Sequence, residues 1–156
     1  MPAPLRIRPA ELRDLDDVVR MLADDELGAR RERYAEPLPA SYLAAFDAIA
    51  RDPNNELVVV EDERGHAVAV MQLTFTPYIT HQGGWRATIE GVRVTRSLRG
   101  TGIGRDFLKW SIARARERGC HLIQLTTDKQ RPEARLFYES LGFTASHEGM
   151  KLALSP

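Results

Sequence analysis

One cysteine, Cys120, stands in a chain of 156 residues, so no intrachain disulfide can form and nothing asks for an oxidising compartment. Excess charge of either sign is missing too. Lys and Arg number 22, Asp and Glu number 22, and the formal net charge is zero. The global attraction that recruits nucleic acid or an anionic membrane is therefore absent, and neither is expected as a partner. No apolar run approaches the roughly 18 residues of a membrane span. The opening Met1-Pro2-Ala3-Pro4-Leu5-Arg6 lacks the apolar core of a signal peptide, so the cytoplasm is the expected location. No internal repeat or low-complexity segment interrupts the chain. What remains, 43% hydrophobic and 28% charged, is ordinary for one globular domain spanning residues 1–156.

The most informative stretch is Val94-Thr95-Arg96-Ser97-Leu98-Arg99-Gly100-Thr101-Gly102-Ile103-Gly104-Arg105. It follows an apolar, strand-like run from Ala87 to Val94 and opens a segment of helical period, with Leu108, Ser111, Ile112 and Ala115 at i, i+3, i+4 and i+7. Three alternate glycines where a helix starts leave backbone N–H groups bare beside the positive end of the helix dipole, which suits phosphate. Arg99 adds a cation with bidentate reach. A Walker-type loop is excluded, because Gly104 is followed by Arg105-Asp106 rather than Lys and a hydroxyl residue. A dinucleotide fingerprint needs G-x-G-x-x-G where this chain has G-x-G-x-G; Asp128, near the end of the next strand, is the one feature in that reading's favour.

The run Arg99-Gly100-Thr101-Gly102-Ile103-Gly104 resembles the coenzyme A loop of the GNAT superfamily of N-acetyltransferases, Arg/Gln-x-x-Gly-x-Gly/Ala. A second match lies downstream, where that family's Ala-x-x-x-Tyr-x-x-x-Gly-Phe is written as Ala134-Arg135-Leu136-Phe137-Tyr138-Glu139-Ser140-Leu141-Gly142-Phe143. The resemblance covers nearly the whole chain. It implies an α/β (α+β) acyltransferase fold, a mixed, mostly antiparallel sheet with helices on both faces. It implies acetyl-CoA as cosubstrate with no metal, and direct transfer to an amine in a ternary complex. A homodimer is a further implication of the resemblance.

The chain itself reads as β-α-α-β-β-β-α-β-α-β. A short strand, Leu5 to Arg8, precedes a helix marked by Leu15, Val18, Val19 and Leu22. Glu11, Asp14, Asp16 and Asp17 near that helix start read as capping charge rather than a metal cluster. Gly28 to Pro39 is a loop or short irregular helix dense in arginine, either a solvated connector with internal ion pairs or, as in the resembled family, a wall of the acceptor pocket carrying Tyr34. Ser41 to Arg51 is a second helix. Glu56–Glu61 and His66–Thr76 form a hairpin around Asp62-Glu63-Arg64-Gly65. Tyr78, His81 and Trp85 occupy the loop that follows, as pocket-lining aromatics or simply exposed ones.

In the strand from Ala87 the apolar alternation breaks: Ala87 and Ile89 share a face, then the pattern resumes at Val92 and Val94. One extra residue near Glu90-Gly91 restores the phase, the mark of a β-bulge. The next helix is expected to reach Arg118 and stop at Gly119. His121–Thr127 is a strand parallel to Ala87–Val94, closing a βαβ unit, with Cys120 an inert buried residue at its mouth. Arg131–Leu141 is the last helix and Thr144–Leu154 a last strand, broken at Glu148-Gly149.

The residues and the resemblance together suggest roles. Glu90, an acid in an apolar strand, is the candidate general base, with His81 next in line, and Tyr138 is the acid for the leaving sulfur. Val92, Arg93 and Val94 are expected to hold the pantetheine arm, and Arg99, Gly100, Thr101, Gly102, Ile103 and Gly104 the phosphates. Arg131 stands where the family often has a cofactor-binding asparagine, and can meet a phosphate or the acceptor instead. Tyr34, Tyr78, His81 and Trp85 are the substrate-side candidates, for a small-molecule amine. The alternatives are a protein lysine or N-terminal amine as acceptor, or a regulatory acyl-CoA sensor without turnover.

Overall fold

Five β runs pair into one sheet in the order β1-β2-β3-β4-β5. They are β1 (Arg6–Pro9), β2 (Asn55–Glu61), β3 (Ala67–Pro77), β4 (Trp85–Val94) and β5 (Cys120–Leu125). The computed structural model describes residues 5–155. Three neighbouring pairs are antiparallel, and only β4 and β5 run parallel. That pairing is what the intervening helix requires, since a parallel partner can be reached only by a crossover. The helices are α1 (Leu15–Ala23), α2 (Glu26–Arg31), α3 (Ala40–Arg51), α4 (Thr80–Gly83), α5 (Ile103–Glu117) and α6 (Pro132–Ser140). Among the described residues none is long and apolar enough to cross a membrane.

Val58, Val59 and Val60 are all buried because both faces of β2 are covered. Val58 and Val60 join Met71, Leu73 and Ile89 under Phe107, Leu108 and Ala115 of α5. Val59 and Val70 face the other way, onto Val18 and Met21 of α1. The mixed sheet with helices on both faces, expected from the sequence, is the architecture found.

Three local readings are resolved or changed, the first by deciding between the connector's two alternatives, loop and short helix. The arginine-rich connector opens with a helix, because Asp25 caps α2: its Oδ1 accepts from the Gly28 amide at 2.5 Å. Gly28 itself lies against α1, where an added Cβ would stand 2.0 Å from the Leu22 carbonyl oxygen, so no other residue fits there. Cys120 is half-buried rather than buried, although burial still pushes its thiol up and away from reactivity. The third change is a correction: among the described residues no strand forms between Thr144 and Leu154. Met150, Leu152 and Leu154 alternate as a strand would, yet are 84% to 93% exposed. Strand propensity needs a paired neighbour to be realised, and among the described residues no strand pairs with this segment.

A buried ion cluster ties β1 to the start of α1 and the end of β2. Arg8 Nη1 and Nη2 donate to the two carboxylate oxygens of Asp14 at 2.7 and 2.9 Å, and Arg8 Nε reaches Glu61. Asp14 Oδ2 also accepts from the Glu11 amide at 2.7 Å. Arg8 is 9% exposed and Asp14 2%. Burial would raise the Asp14 carboxyl, but the Arg8 and Glu11 hydrogen bonds together hold it below its ordinary value. Its stabilisation is therefore complete above an unfolded-state pKa of about 3.9 and is lost as pH falls through the lower native value. Asp14→Ala leaves the buried Arg8 guanidinium with Glu61 as its one carboxylate partner, and urea unfolding at neutral pH should show a loss of up to about 3–5 kcal/mol. An unchanged midpoint would mean that the cluster contributes nothing.

Candidate active site

The bulge lies where the broken alternation put it. Gln72 faces Glu90 and Val70 faces Arg93, so Gly91 and Val92 together oppose Met71 alone. Gly91 takes a left-handed φ of +61°, which glycine adopts without penalty. Val92 and Val94 are thereby returned to the face that Ala87 and Ile89 occupy, against the α5 core.

The bulge also separates β4 from β5. Their pairing ends at Ile89 with Leu125, whereas β4 continues for five more residues. N–H groups alternate between the two edges of a strand. Thr95 donates to Val68 on the β3 side at 2.8 Å, so the amides of Val94 and Val92 point toward the edge that β5 has left. Two donors thus face an open slot.

The chain then reaches the glycine turn. Gly100 and Gly102 have φ of +79° and +94°, and a Cβ built on either meets nothing within 4 Å. Gly102 is the N-cap of α5, and its carbonyl accepts from Asp106 at 3.1 Å. The Thr101 hydroxyl donates back to Leu98 at 2.6 Å and stiffens the turn. Arg99 Nε donates to the Val94 carbonyl at 3.2 Å, and its Nη2 lies 3.5 Å from Asp24. Backbone donors, open space above the glycines and a half-exposed guanidinium are the parts that a pyrophosphate requires.

Beside the turn, between β4 and α6, is a cavity of about 550 Å³ lined by Val92, Arg93, Val94, Arg99, Arg131 and Tyr138, with Asp25, Glu26 and Leu27 across from them. Arg131 Nη1 pairs with Asp25 Oδ2 at 2.7 Å. Tyr138 packs between Phe137 and Phe143 at ring-centroid distances of 5.4 and 5.9 Å. Burial pushes its phenol up, only partly opposed by Arg93 and Arg131. The hydroxyl is therefore protonated at neutral pH and available as a donor.

The model of the acetyltransferase (GNAT) family matches residues 18–143. The chain belongs to that family. It is 34% identical over 147 residues to glucosamine 6-phosphate N-acetyltransferase of Trypanosoma brucei brucei, covering 90% of this chain and 97% of the relative. Against aminoalkylphosphonate N-acetyltransferase of Salmonella typhimurium it is 31% identical over 107 residues, 69% of this chain and 68% of the relative. A solved structure from Bacillus halodurans C-125, described as a transcriptional regulator, superposes with a TM-score of 0.93 at 58% identity, covering 97% of this chain and 100% of that one. Family and named relatives make the chain an acetyl-CoA-dependent N-acetyltransferase.

In this GNAT domain the remaining sequence candidates fall in separate places. Glu90 is exposed on β4, one residue before the bulge, outside the cavity lining. Tyr34 accepts from Arg20 at 2.6 Å and donates to Glu36 at 2.9 Å, also outside that lining. Tyr78 lies under Arg86, and His81, at a left-handed φ of 55°, stacks on His121 with centroids 5.3 Å apart. With Trp85 they gather where β4 begins. Val92, Arg93 and Val94 are where it ends, about 25–30 Å away along a strand of this length. Asp25 and Leu27 are cavity residues that the sequence reading passed over. The signal for Asp25 was present, an acid three residues before a glycine in capping position.

Gly102→Asp would force a charged side chain onto a left-handed backbone and aim it into the space above the turn. We expect near-complete loss of acetyl-CoA binding by calorimetry, with a native circular dichroism spectrum. Unchanged affinity would remove the turn from the cofactor site.

Proposed function

We propose that this acetyltransferase moves the acetyl group of acetyl-CoA to the primary amine of a small molecule, by direct transfer with both substrates bound. What supports this reading is one cavity, beside the glycine turn, that Val92, Val94 and Tyr138 all line. Its size suits a compact acceptor beside a pantetheine arm, and both named relatives act on small amines. Acetyl-CoA supplies the activated acyl carbon.

The chain's residues then handle two protons. An alkylammonium acceptor has a pKa near 10, like that of lysine, and must lose a proton before its nitrogen can attack. Glu90 takes that proton through water. Its carboxylate makes no ion pair or side-chain hydrogen bond among the described residues, so nothing competes for it. As the C–N bond forms and the C–S bond breaks, the Val92 and Val94 amides stabilise charge on the acyl oxygen. The Tyr138 hydroxyl delivers its proton to the departing sulfur. Its raised pKa keeps that proton in place until then.

The second reading is regulatory, tight acetyl-CoA binding without turnover; the Bacillus halodurans neighbour is described as a transcriptional regulator, with no ligand named. A thiol-release screen over amines, polyamines, amino acids and peptides separates the two: turnover with any acceptor favours the enzyme.

Glu90→Gln should lower kcat by about 10²–10⁴, the range for general acid–base catalysis, and remove the acidic limb of the kcat/KM profile. A retained rate and limb would pass the role to another group. Tyr138→Phe keeps the ring packing. It should slow turnover by one to several orders of magnitude while both substrates still bind. A thioester with a more acidic thiol should rescue it relative to wild type. Equal defects with good and poor leaving groups would rule out Tyr138 as the acid.

A further inference from the structure

Two guanidiniums in the cavity share one carboxylate. Arg131 Nη1 holds Asp25 Oδ2 at 2.7 Å, which leaves Arg93 Nε at 3.9 Å from the same oxygen. Arg93 Nη1 donates only to the neighbouring Val92 carbonyl, at 2.7 Å. Its Nε is buried with no hydrogen-bond partner. Burial, Arg131 and Arg31 all press against the Arg93 charge, and Asp25 offsets them only in part. A buried guanidinium with an unmet Nε is costly unless an anion meets it, even though Asp25, Glu26 and Glu133 match Arg93, Arg99 and Arg131 in number around the cavity. The contrast with Arg8, whose fork is closed by Asp14 and Glu61, shows what a satisfied buried arginine looks like in this same chain.

We propose that Arg93 and Arg131 form a subsite for a doubly charged tetrahedral oxyanion, a phosphonate or phosphate monoester, carried by the acceptor amine itself; this rests on the acetyltransfer reading of the cavity. The cofactor's phosphates have their own place, above Gly100 and Gly102. Arg93 precedes that turn along β4, directly after the bulge, and lines the cavity together with Tyr138, the residue assigned to the leaving sulfur. A carboxylate is already present as Asp25 and engages only one fork closely. Three oxygens with up to two charges can engage both forks, and Asp25 then gives way or retains only its α2 cap. The amine and the anion must lie a few bonds apart for one small molecule to reach both Arg93 and the transfer point.

The test compares 2-aminoethylphosphonate, β-alanine and propylamine as acceptors. kcat/KM should favour the phosphonate over propylamine by about 10- to 100-fold, the range for charge-assisted hydrogen bonds, with the carboxylate between them. Arg93→Gln should cut that ratio at least about tenfold, and Arg93→Lys, which keeps the charge but loses the fork, should restore only part of it. Equal use of the three amines, or a ratio indifferent to Arg93→Gln in a protein with a native circular dichroism spectrum, overturns the subsite. A second measurement needs no turnover: calorimetry of methylphosphonate with the protein saturated in coenzyme A. Binding should be present, weakened in Arg131→Gln and strengthened in Asp25→Asn. If coenzyme A abolishes it, the arginines serve the cofactor's phosphates and the proposal fails. If no amine is acetylated but Arg93-dependent methylphosphonate binding persists, the transfer reading fails and the subsite stands.

Discussion

Much of this molecule follows from two residues, Gly91 and Val92, standing opposite one, Met71. The bulge restores the inward face of β4, so Val92 and Val94 stay packed on the α5 core while the strand bends. It coincides with the end of pairing to β5, which turns two backbone amides from ladder partners into free donors. It also re-aims the next side chain, so that Arg93 lines the cavity beside Tyr138. A regular strand in this position would continue its ladder to β5 and leave no slot. A left-handed backbone that glycine tolerates lets the chain make this turn without strain.

The arginines divide by how completely they are answered. Arg8 and Arg114 each meet carboxylates in close geometry, and these pairs join elements far apart in sequence: β1 to α1 and β2, and α5 to β2. Such pairs are structural because every donor that leaves water finds an acceptor. Arg93 and Arg131 differ in kind. They are drawn to one cavity by α6, the bulge and the α2 cap, with a single carboxylate between them. Of the two, Arg93 keeps a buried Nε without an acceptor, which marks the cavity as a candidate ligand site. The net charge of zero conceals this, since it sums closed and open arginines alike.

Reading the sequence alone recovered the elements whose signals are local. The hairpin, the bulge, the glycine turn with its helix and the tyrosine helix all rest on residues within a few positions of one another. Their spacing is enforced by backbone geometry. The βαβ unit followed because a parallel strand has few ways to be reached. The last strand was misread for the complementary reason: alternating Met150, Leu152 and Leu154 describe a face, but a strand exists only once another strand offers its edge.

The glycine turn with its left-handed Gly100 and Gly102, and the helix that carries Tyr138, were determined by the sequence, because each is written in a short run whose conformation is dictated by its own residues. The tertiary structure alone decided which distant groups share the cavity. It brought Asp25, Arg93 and Arg131 together from the start of α2, the bulge and the cap of α6. It kept Tyr78, His81 and Trp85 at the opposite end of β4. Aromatic or basic character says what a side chain can bind, but not how far the intervening strand carries it, and a ten-residue strand separates its ends by most of the width of a small domain.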